Sequence, residues 1–150
     1  MTRAEFTLRT PTADDLPALF EVYAAAMSGY VRQTFGTWDE DERRREFYAG
    51  FPLDRAMVIL LRDEVVGGVD MERRADCWSL NNIEIAPGWQ GRGIGTALIE
   101  DLLARARAES LPVELEVYRV NHARRLYERL GFVEVGETAT HILMRATLTR

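Results

Sequence analysis

Ile83-Glu84-Ile85-Ala86-Pro87-Gly88-Trp89-Gln90-Gly91-Arg92-Gly93-Ile94-Gly95-Thr96-Ala97-Leu98 is the stretch on which the reading of this chain turns. It starts as the end of an apolar, strand-like run from Cys77 to Ile85, breaks at Pro87-Gly88, and passes through three glycines in five residues. It then settles into a helical pattern, expected from about Gly93 to Ser110, with Ile94, Leu98, Ile99, Leu102, Leu103 and Ala106 on one apolar stripe. A glycine-rich turn between a strand and a helix is a natural place for a phosphate. Glycines let the backbone come close to a ligand and present successive N–H groups. The helix adds its unsatisfied first-turn donors and the positive end of its dipole, and Arg92 can add a charge-assisted contact. The plain alternative is a loop that is glycine-rich by chance. A P-loop is excluded, because Gly-Lys-Ser/Thr is absent. The dinucleotide fingerprint fits poorly, because Gly91 and Gly93 are followed by Thr96 where a third glycine belongs. That fingerprint also follows the first strand of its unit.

Working outward, Phe6 to Arg9 is a short strand, and Thr12-Ala13-Asp14-Asp15 has capping-box spacing ahead of a helix whose buried face is Leu16, Leu19, Phe20, Tyr23 and Met27. Residues 28–51 read as irregular, with Gly29, Gly36 and Gly50 bracketing Tyr30, Phe35, Trp38, Phe47, Tyr48 and Phe51, while the charged run Asp39 to Glu46 reads as a solvated helix face. Ala56 to Arg62 and Val65 to Glu72 form a hairpin about a turn at Asp63-Glu64. After the long helix come a strand from Val113 to Tyr118, a short helix from Asn121 to Leu130, and a closing strand pair, Phe132 to Val135 and Ile142 to Leu148. The short helix has Ala123, Leu126, Tyr127 and Leu130 on one face. The order β-α-α-β-β-β-α-β-α-β-β gives an α/β (α+β) fold, a mixed sheet with helices on its faces. No repeat or linker interrupts it, so one domain over residues 1–150 is expected.

Composition narrows the function. Hydrophobic residues at 47 % and charged residues at 29 % describe a globular chain. No apolar run approaches the ~20 residues of a membrane span, and the N-terminal residues lack a signal-peptide core, so a cytoplasmic address is expected. A net charge of −5 argues against sequence-independent nucleic-acid binding. All 19 basic residues are arginine, which removes Schiff-base lysine chemistry. The single Cys77 excludes an internal disulfide and reads as a packed thiol, and His122 and His141 are too few and too dispersed for a metal site.

The stretch Ile83 to Leu98 resembles the acetyl-coenzyme A signature of the GNAT superfamily of N-acetyltransferases, whose core element is Gln/Arg-x-x-Gly-x-Gly/Ala. Asn121-His122-Ala123-Arg124-Arg125-Leu126-Tyr127-Glu128-Arg129-Leu130-Gly131-Phe132 resembles that family's second motif, although Asn121 lies six residues before Tyr127 where seven is commoner. The resemblance spans about the whole chain. It implies a GNAT-like, mostly antiparallel sheet flanked by helices, and transfer of an acetyl group from acetyl-coenzyme A to an amine in a ternary complex. It further implies that Gln90, Gly91, Arg92, Gly93, Ile94, Gly95 and Thr96 hold the pyrophosphate. Ile83 and Ile85 would bond the pantetheine arm through main chain between splayed strands, and Asn121, Ala123 and Tyr127 would complete the cofactor side.

Acyl transfer from a thioester to an amine needs a neutral amine, a stabilised oxyanion, a protonated leaving thiolate and held reactants. Tyr127 matches the family tyrosine that protonates the thiolate; from periodicity alone it could equally fill the core. The base is open between Glu84, which interrupts an apolar strand, Glu116 in Leu115-Glu116-Val117, and water alone. Glu116 resembles the base of ribosomal N-terminal acetyltransferases. Tyr30, Trp38 and His141 are candidates for the acceptor pocket. The acidity of the chain favours a cationic amine, small molecule or peptide. A homodimer is open, and a non-catalytic acyl-coenzyme A-binding module of the same fold is the competing function.

Overall fold

A computed structural model describes residues 5–147; Leu148, the expected end of the last strand, lies outside the described residues. The elements are β1 (Thr7–Arg9), α1 (Leu16–Phe35), α2 (Glu40–Gly50), β2 (Met57–Leu61), β3 (Glu64–Arg73), β4 (Trp78–Ile85), α3 (Ile94–Ala108), β5 (Val113–Tyr118), α4 (Arg124–Arg129), β6 (Val133–Glu137) and β7 (His141–Ala146). The strands hydrogen-bond in the order β1-β2-β3-β4-β5-β7-β6. β4 and β5 run parallel, whereas β1–β2, β2–β3, β5–β7 and β6–β7 are antiparallel. This is the mixed, mostly antiparallel sheet with helices expected from the sequence. The backbone divides into two compact units, one running through Asp70 and taking in Asn82–Ile94, the other comprising Met71–Asn81 and the chain from Gly95 onward.

In the first unit, Arg9 grips Asp15 through both guanidinium nitrogens at 2.7 and 2.8 Å, and the Thr12 N–H donates to the same carboxylate at 2.8 Å. These bonds fix the entry to α1. The helix then runs 20 residues, burying Leu16, Leu19, Phe20, Val22 and Val31, and stops at Gly36, whose N–H donates to the Arg32 carbonyl. Residues 28–51 are therefore not irregular: α1 continues through Phe35, and α2 begins after Asp39, whose side chain caps the Glu42 N–H at 3.1 Å. The glycines misled because Gly36 and Gly50 sit at helix ends, whereas Gly29 is tolerated on an exposed face. Aromatic packing joins the two helices. Phe47 of α2 meets Phe20 edge-on at 5.5 Å and stacks on Tyr23 at 5.3 Å, while Trp38 stacks on Phe20 at 6.5 Å. Each such pair adds ~0.5–1.5 kcal/mol beyond its area burial. The β2–β3 turn is centred on Arg62-Asp63 rather than Asp63-Glu64; both residues take left-handed φ, 52° and 66°, between paired Leu61 and Glu64. That backbone suits a two-residue hairpin because its twist matches the strands.

In the second unit, strict alternation builds the core. Val113, Leu115 and Val117 of β5 are buried, as are Ile142, Met144 and Ala146 of β7, which they face in register. Leu98, Ile99, Leu102 and Ala106 of α3 are buried as the predicted stripe requires, the leucines and the isoleucine contributing ~1.5–3 kcal/mol each. Cys77 is buried, and burial together with its bond to Glu114 pushes the thiol pKa up, as suits a structural thiol. β4 pairs with β5 from Trp78↔Val113 to Leu80↔Leu115, and each strand runs on past this register, β4 to Ile85 and β5 to Tyr118.

Candidate active site

Glu84 stands near the end of β4, where the first unit opens a cavity of about 260 Å³. Tyr23 of α1, Phe47 of α2 and Phe51 supply aromatic walls, Leu19, Val22 and Ala56 aliphatic ones, Asp70, Asn82 and Glu84 one polar side, and Arg43 and Glu46 of α2 the other. The acids differ. Asp70 is clamped by Arg55 in a two-point pair at 2.6 and 2.8 Å. Glu84 is half-buried, and its carboxyl has neither an ion pair nor a hydrogen bond among the described residues. Burial among apolar walls raises its pKa from the usual 4.5 to about 7, with the Asp70 charge adding to the effect. A carboxyl titrating near neutrality is matched to general-base work.

The local backbone explains why β4 carries this residue. A Cβ on Gly67 of β3 would lie 2.4 Å from the Glu84 carbonyl oxygen, so only glycine permits β3 and β4 to approach so closely there. Two residues on, the Ala86 N–H donates to the Val66 carbonyl at 2.8 Å. The chain then turns through a 3-10 turn, Pro87–Trp89, and Gln90 reaches back, its side-chain amide donating to the Ile85 carbonyl at 2.8 Å. Thus Gln90 ties the loop to the end of its strand. Gly91 and Gly93 both take left-handed φ, 75° and 85°, with open space where a side chain would stand. Arg92 lies over the Trp89 ring at 4.7 Å. Ile94 opens α3, with Gly95 and Thr96 in its first turn. A loop of open glycines leading into a 15-residue helix is the arrangement a pyrophosphate needs.

The second unit holds the remaining candidates. Tyr127 is buried in α4, and the end of that helix accounts for its surroundings. Gly131, at φ 102°, follows the cap; its N–H donates to the Glu128 carbonyl and the Phe132 N–H donates to the Tyr127 carbonyl. This Schellman closure places the residue after the glycine against the first residue of the last turn, and the Phe132 ring meets Tyr127 edge-on at 5.8 Å. The Leu-Tyr…Gly-Phe spacing thus has a physical cause. The Asn121 side-chain oxygen accepts the Ala123 N–H at 2.8 Å, so both residues are engaged in the turn that starts α4. Glu116 is exposed on β5, beside a separate, more polar cavity it shares with Arg74, Asn81 and Arg145. His141 packs on Tyr118 at 4.2 Å and bonds the Thr140 hydroxyl.

Tyr30 and Trp38 are half-buried and absent from the wall of the Glu84 cavity, as is His141. Their places are taken by Tyr23, Phe47 and Phe51. Phe47 and Phe51 belong to the aromatic segment read from the sequence, whereas Tyr23 was visible only as part of the α1 stripe. Asp70 and Arg55 were not foreseen; an acid following the apolar run Val65 to Val69 within β3 was their one signal. Among the described residues no three His, Cys, Asp or Glu side chains group to hold a metal ion.

Comparison with known proteins places this geometry in a class. The acetyltransferase (GNAT) family model matches residues 18–132, and the chain belongs to that family; it is an acetyltransferase. It is 31 % identical over 124 residues to the [ribosomal protein bS18]-alanine N-acetyltransferase of Haemophilus influenzae, covering 82 % of this chain and 78 % of that one. It is 32 % identical over 148 residues to an uncharacterised N-acetyltransferase of Methanocaldococcus jannaschii, covering 86 % of this chain but 61 % of the longer relative. Among solved structures, the PaiA N-acetyltransferase of Thermoplasma acidophilum in complex with coenzyme A matches with a TM-score of 0.76 at 17 % identity, covering 96 % of this chain and 99 % of that one.

Proposed function

We propose that this chain transfers the acetyl group of acetyl-coenzyme A directly to an amine, with Glu84 taking the amine's proton and Tyr127 protonating the departing thiolate. The observation that carries the reading is the unpartnered Glu84 carboxyl, with a pKa near 7, on the wall of an amine-sized cavity. The amine arrives as an ammonium and reacts as the free base. Glu84 accepts one proton, the nitrogen attacks the thioester carbonyl, the C–N bond forms, and the C–S bond breaks as the sulfur collects a proton from the Tyr127 hydroxyl; the acylated nitrogen then gives up its second proton to water, and the Tyr127 phenolate regains one from water, leaving the neutral amide, the coenzyme A thiol and protonated Glu84. A phenol near pKa 10 serves as an acid toward an alkyl thiolate near 8.5. The pyrophosphate is assigned to the backbone donors of the loop from Gln90 to Thr96, in which Gly91 and Gly93 leave open space. The coenzyme A complex of the Thermoplasma acidophilum neighbour supports this ligand for the fold. Both motifs, the acid and the base candidate together favour catalysis over a binding-only module.

Thiol release from acetyl-coenzyme A, followed against pH with an amine acceptor, tests the reading. Glu84→Gln should lower turnover ~10²–10⁴-fold and remove the limb near pH 7, whereas Glu116→Gln should leave that limb in place. A wild-type profile in Glu84→Gln, with its loss in Glu116→Gln, would transfer the base to Glu116.

A further inference from the structure

We propose that the acceptor is a small primary amine with one ammonium and a compact aromatic or aliphatic body, of the arylalkylamine kind, held in the cavity of the first unit. The inference rests on the acyl-transfer reading above and adds the substrate class to it.

The argument begins with size. An apolar cavity of ~150 Å³ holds benzene; here about 260 Å³ is available, enough for a ring and a short arm ending in nitrogen. The walls suit such a body. Tyr23 and Phe47 stack at 5.3 Å and Phe47 meets Phe51 at 5.2 Å, presenting continuous aromatic surface. The charge pattern then sets the count of cationic groups. Asp70 is neutralised by Arg55, and Glu46 is exposed on α2 beside Arg43, so Glu84 is the acid left to meet a ligand inside the cavity. One anionic anchor against apolar walls matches one ammonium per ligand; a polyamine would bring a second cation to aromatic surface. A peptide N-terminus would bring an amide directly beside its amine; the walls of Leu19, Ala56, Gly68 and Val69 carry no side-chain donor or acceptor for it, while Arg43 and Asn82 elsewhere on the lining could donate to its carbonyl. The raised pKa of Glu84 fits this site, since a carboxyl meeting one ammonium in apolar surroundings gains most from being paired.

Gly50 supplies a clean perturbation. It lines the cavity at the exposed end of α2, and a Cβ there meets nothing within 4 Å, so Gly50→Leu adds bulk to the wall with no clash at the Cβ and favours the helix. The experiment measures thiol release from acetyl-coenzyme A with phenethylamine, spermidine and an alanine-initiated peptide, for the full chain and for Gly50→Leu. Phenethylamine should exceed the other two at least tenfold in kcat/KM, and Gly50→Leu should raise its KM at least tenfold while coenzyme A affinity by calorimetry stays within twofold. Turnover of the peptide or of spermidine in preference to phenethylamine overturns the substrate class and leaves acyl transfer standing. If no acceptor releases thiol although coenzyme A binds, the acyl-transfer reading fails, and titration with phenethylamine alone decides the cavity. Binding that Gly50→Leu weakens tenfold keeps it as an amine site, and no binding overturns it.

Discussion

Replacing Glu84 with glutamine separates two consequences of one half-buried carboxyl, and the sharper of them is a stability effect. In the unfolded chain Glu84 titrates near 4.5; in the folded chain apolar burial holds its proton until about pH 7. Between these values the native state binds more protons than the unfolded state, so stability falls as pH rises. The contribution of the protonated form is fully present below about pH 4.5 and is gone once pH has passed through about 7. At ~1.4 kcal/mol per pH unit, the displacement amounts to about 3 kcal/mol. Glutamine is nearly isosteric and never charges, so Glu84→Gln should match wild type at pH 4.5 and exceed it by up to about 3 kcal/mol at pH 8. Urea denaturation at half-unit pH steps, read by tryptophan fluorescence and far-UV circular dichroism, measures the difference curve directly. Other acids cancel in that difference. Asp15, held at about 2 by its Arg9 and Thr12 bonds, contributes stability in both proteins above pH 4 and loses it as pH falls toward 2. Parallel stability curves for the two proteins from pH 4.5 to 8 would refute the claim that Glu84 has a raised pKa in the folded chain, and the base assignment would lose its footing.

The remaining perturbations address the loop, the acid and the strand beneath the site. Gly93→Val forces a branched residue into φ 85° and puts bulk into the open space beside the loop, so coenzyme A affinity by calorimetry should fall at least tenfold, ~1.4 kcal/mol, in a folded protein. Unchanged affinity would remove the loop from the cofactor site. Tyr127→Phe keeps the ring against Phe132 and deletes the hydroxyl, so turnover should drop ~10²–10⁴-fold with coenzyme A affinity within threefold; normal turnover would make the tyrosine a packing residue. Gly67→Ala drives a methyl to 2.4 Å from the Glu84 carbonyl, and the backbone must move; a melting temperature lowered by several degrees and impaired turnover are expected, and a neutral result would show that the close approach is dispensable.

What the sequence disclosed depended on how local the cause was. β5 was placed residue for residue, from Val113 to Tyr118, because its alternation is complete within six positions. The turn from Pro87 to Thr96 was legible for the same reason: left-handed glycines declare themselves by identity. The segment from 28 to 51 was misread as irregular because Gly36 and Gly50 serve as helix ends, Gly29 lies within a helix, and Phe47 is ordered by rings on another helix, Phe20 and Tyr23. The cavity was harder still. Its wall combines α1, α2, β3 and β4, which no spacing rule connects, and its acid balance depends on Arg55 pairing with Asp70 across 15 residues of chain.

That balance is also what separates the two carboxylates the sequence left level. Glu84 and Glu116 both interrupt apolar strands near the expected chemistry, and identity alone ranks neither. Environment does. Glu116 is exposed on β5, where water solvates its charge and ion pairs between Glu114 and Arg145 and between Arg74 and Glu72 crowd the same surface. Glu84 has apolar walls around it that limit that solvation; Arg55 is committed to Asp70, and the guanidinium on the cavity lining itself is that of Arg43 of α2. An ammonium entering the cavity would therefore find a carboxyl that gains both charge and partner by meeting it. Proton transfer within that encounter yields the neutral amine that acyl transfer requires.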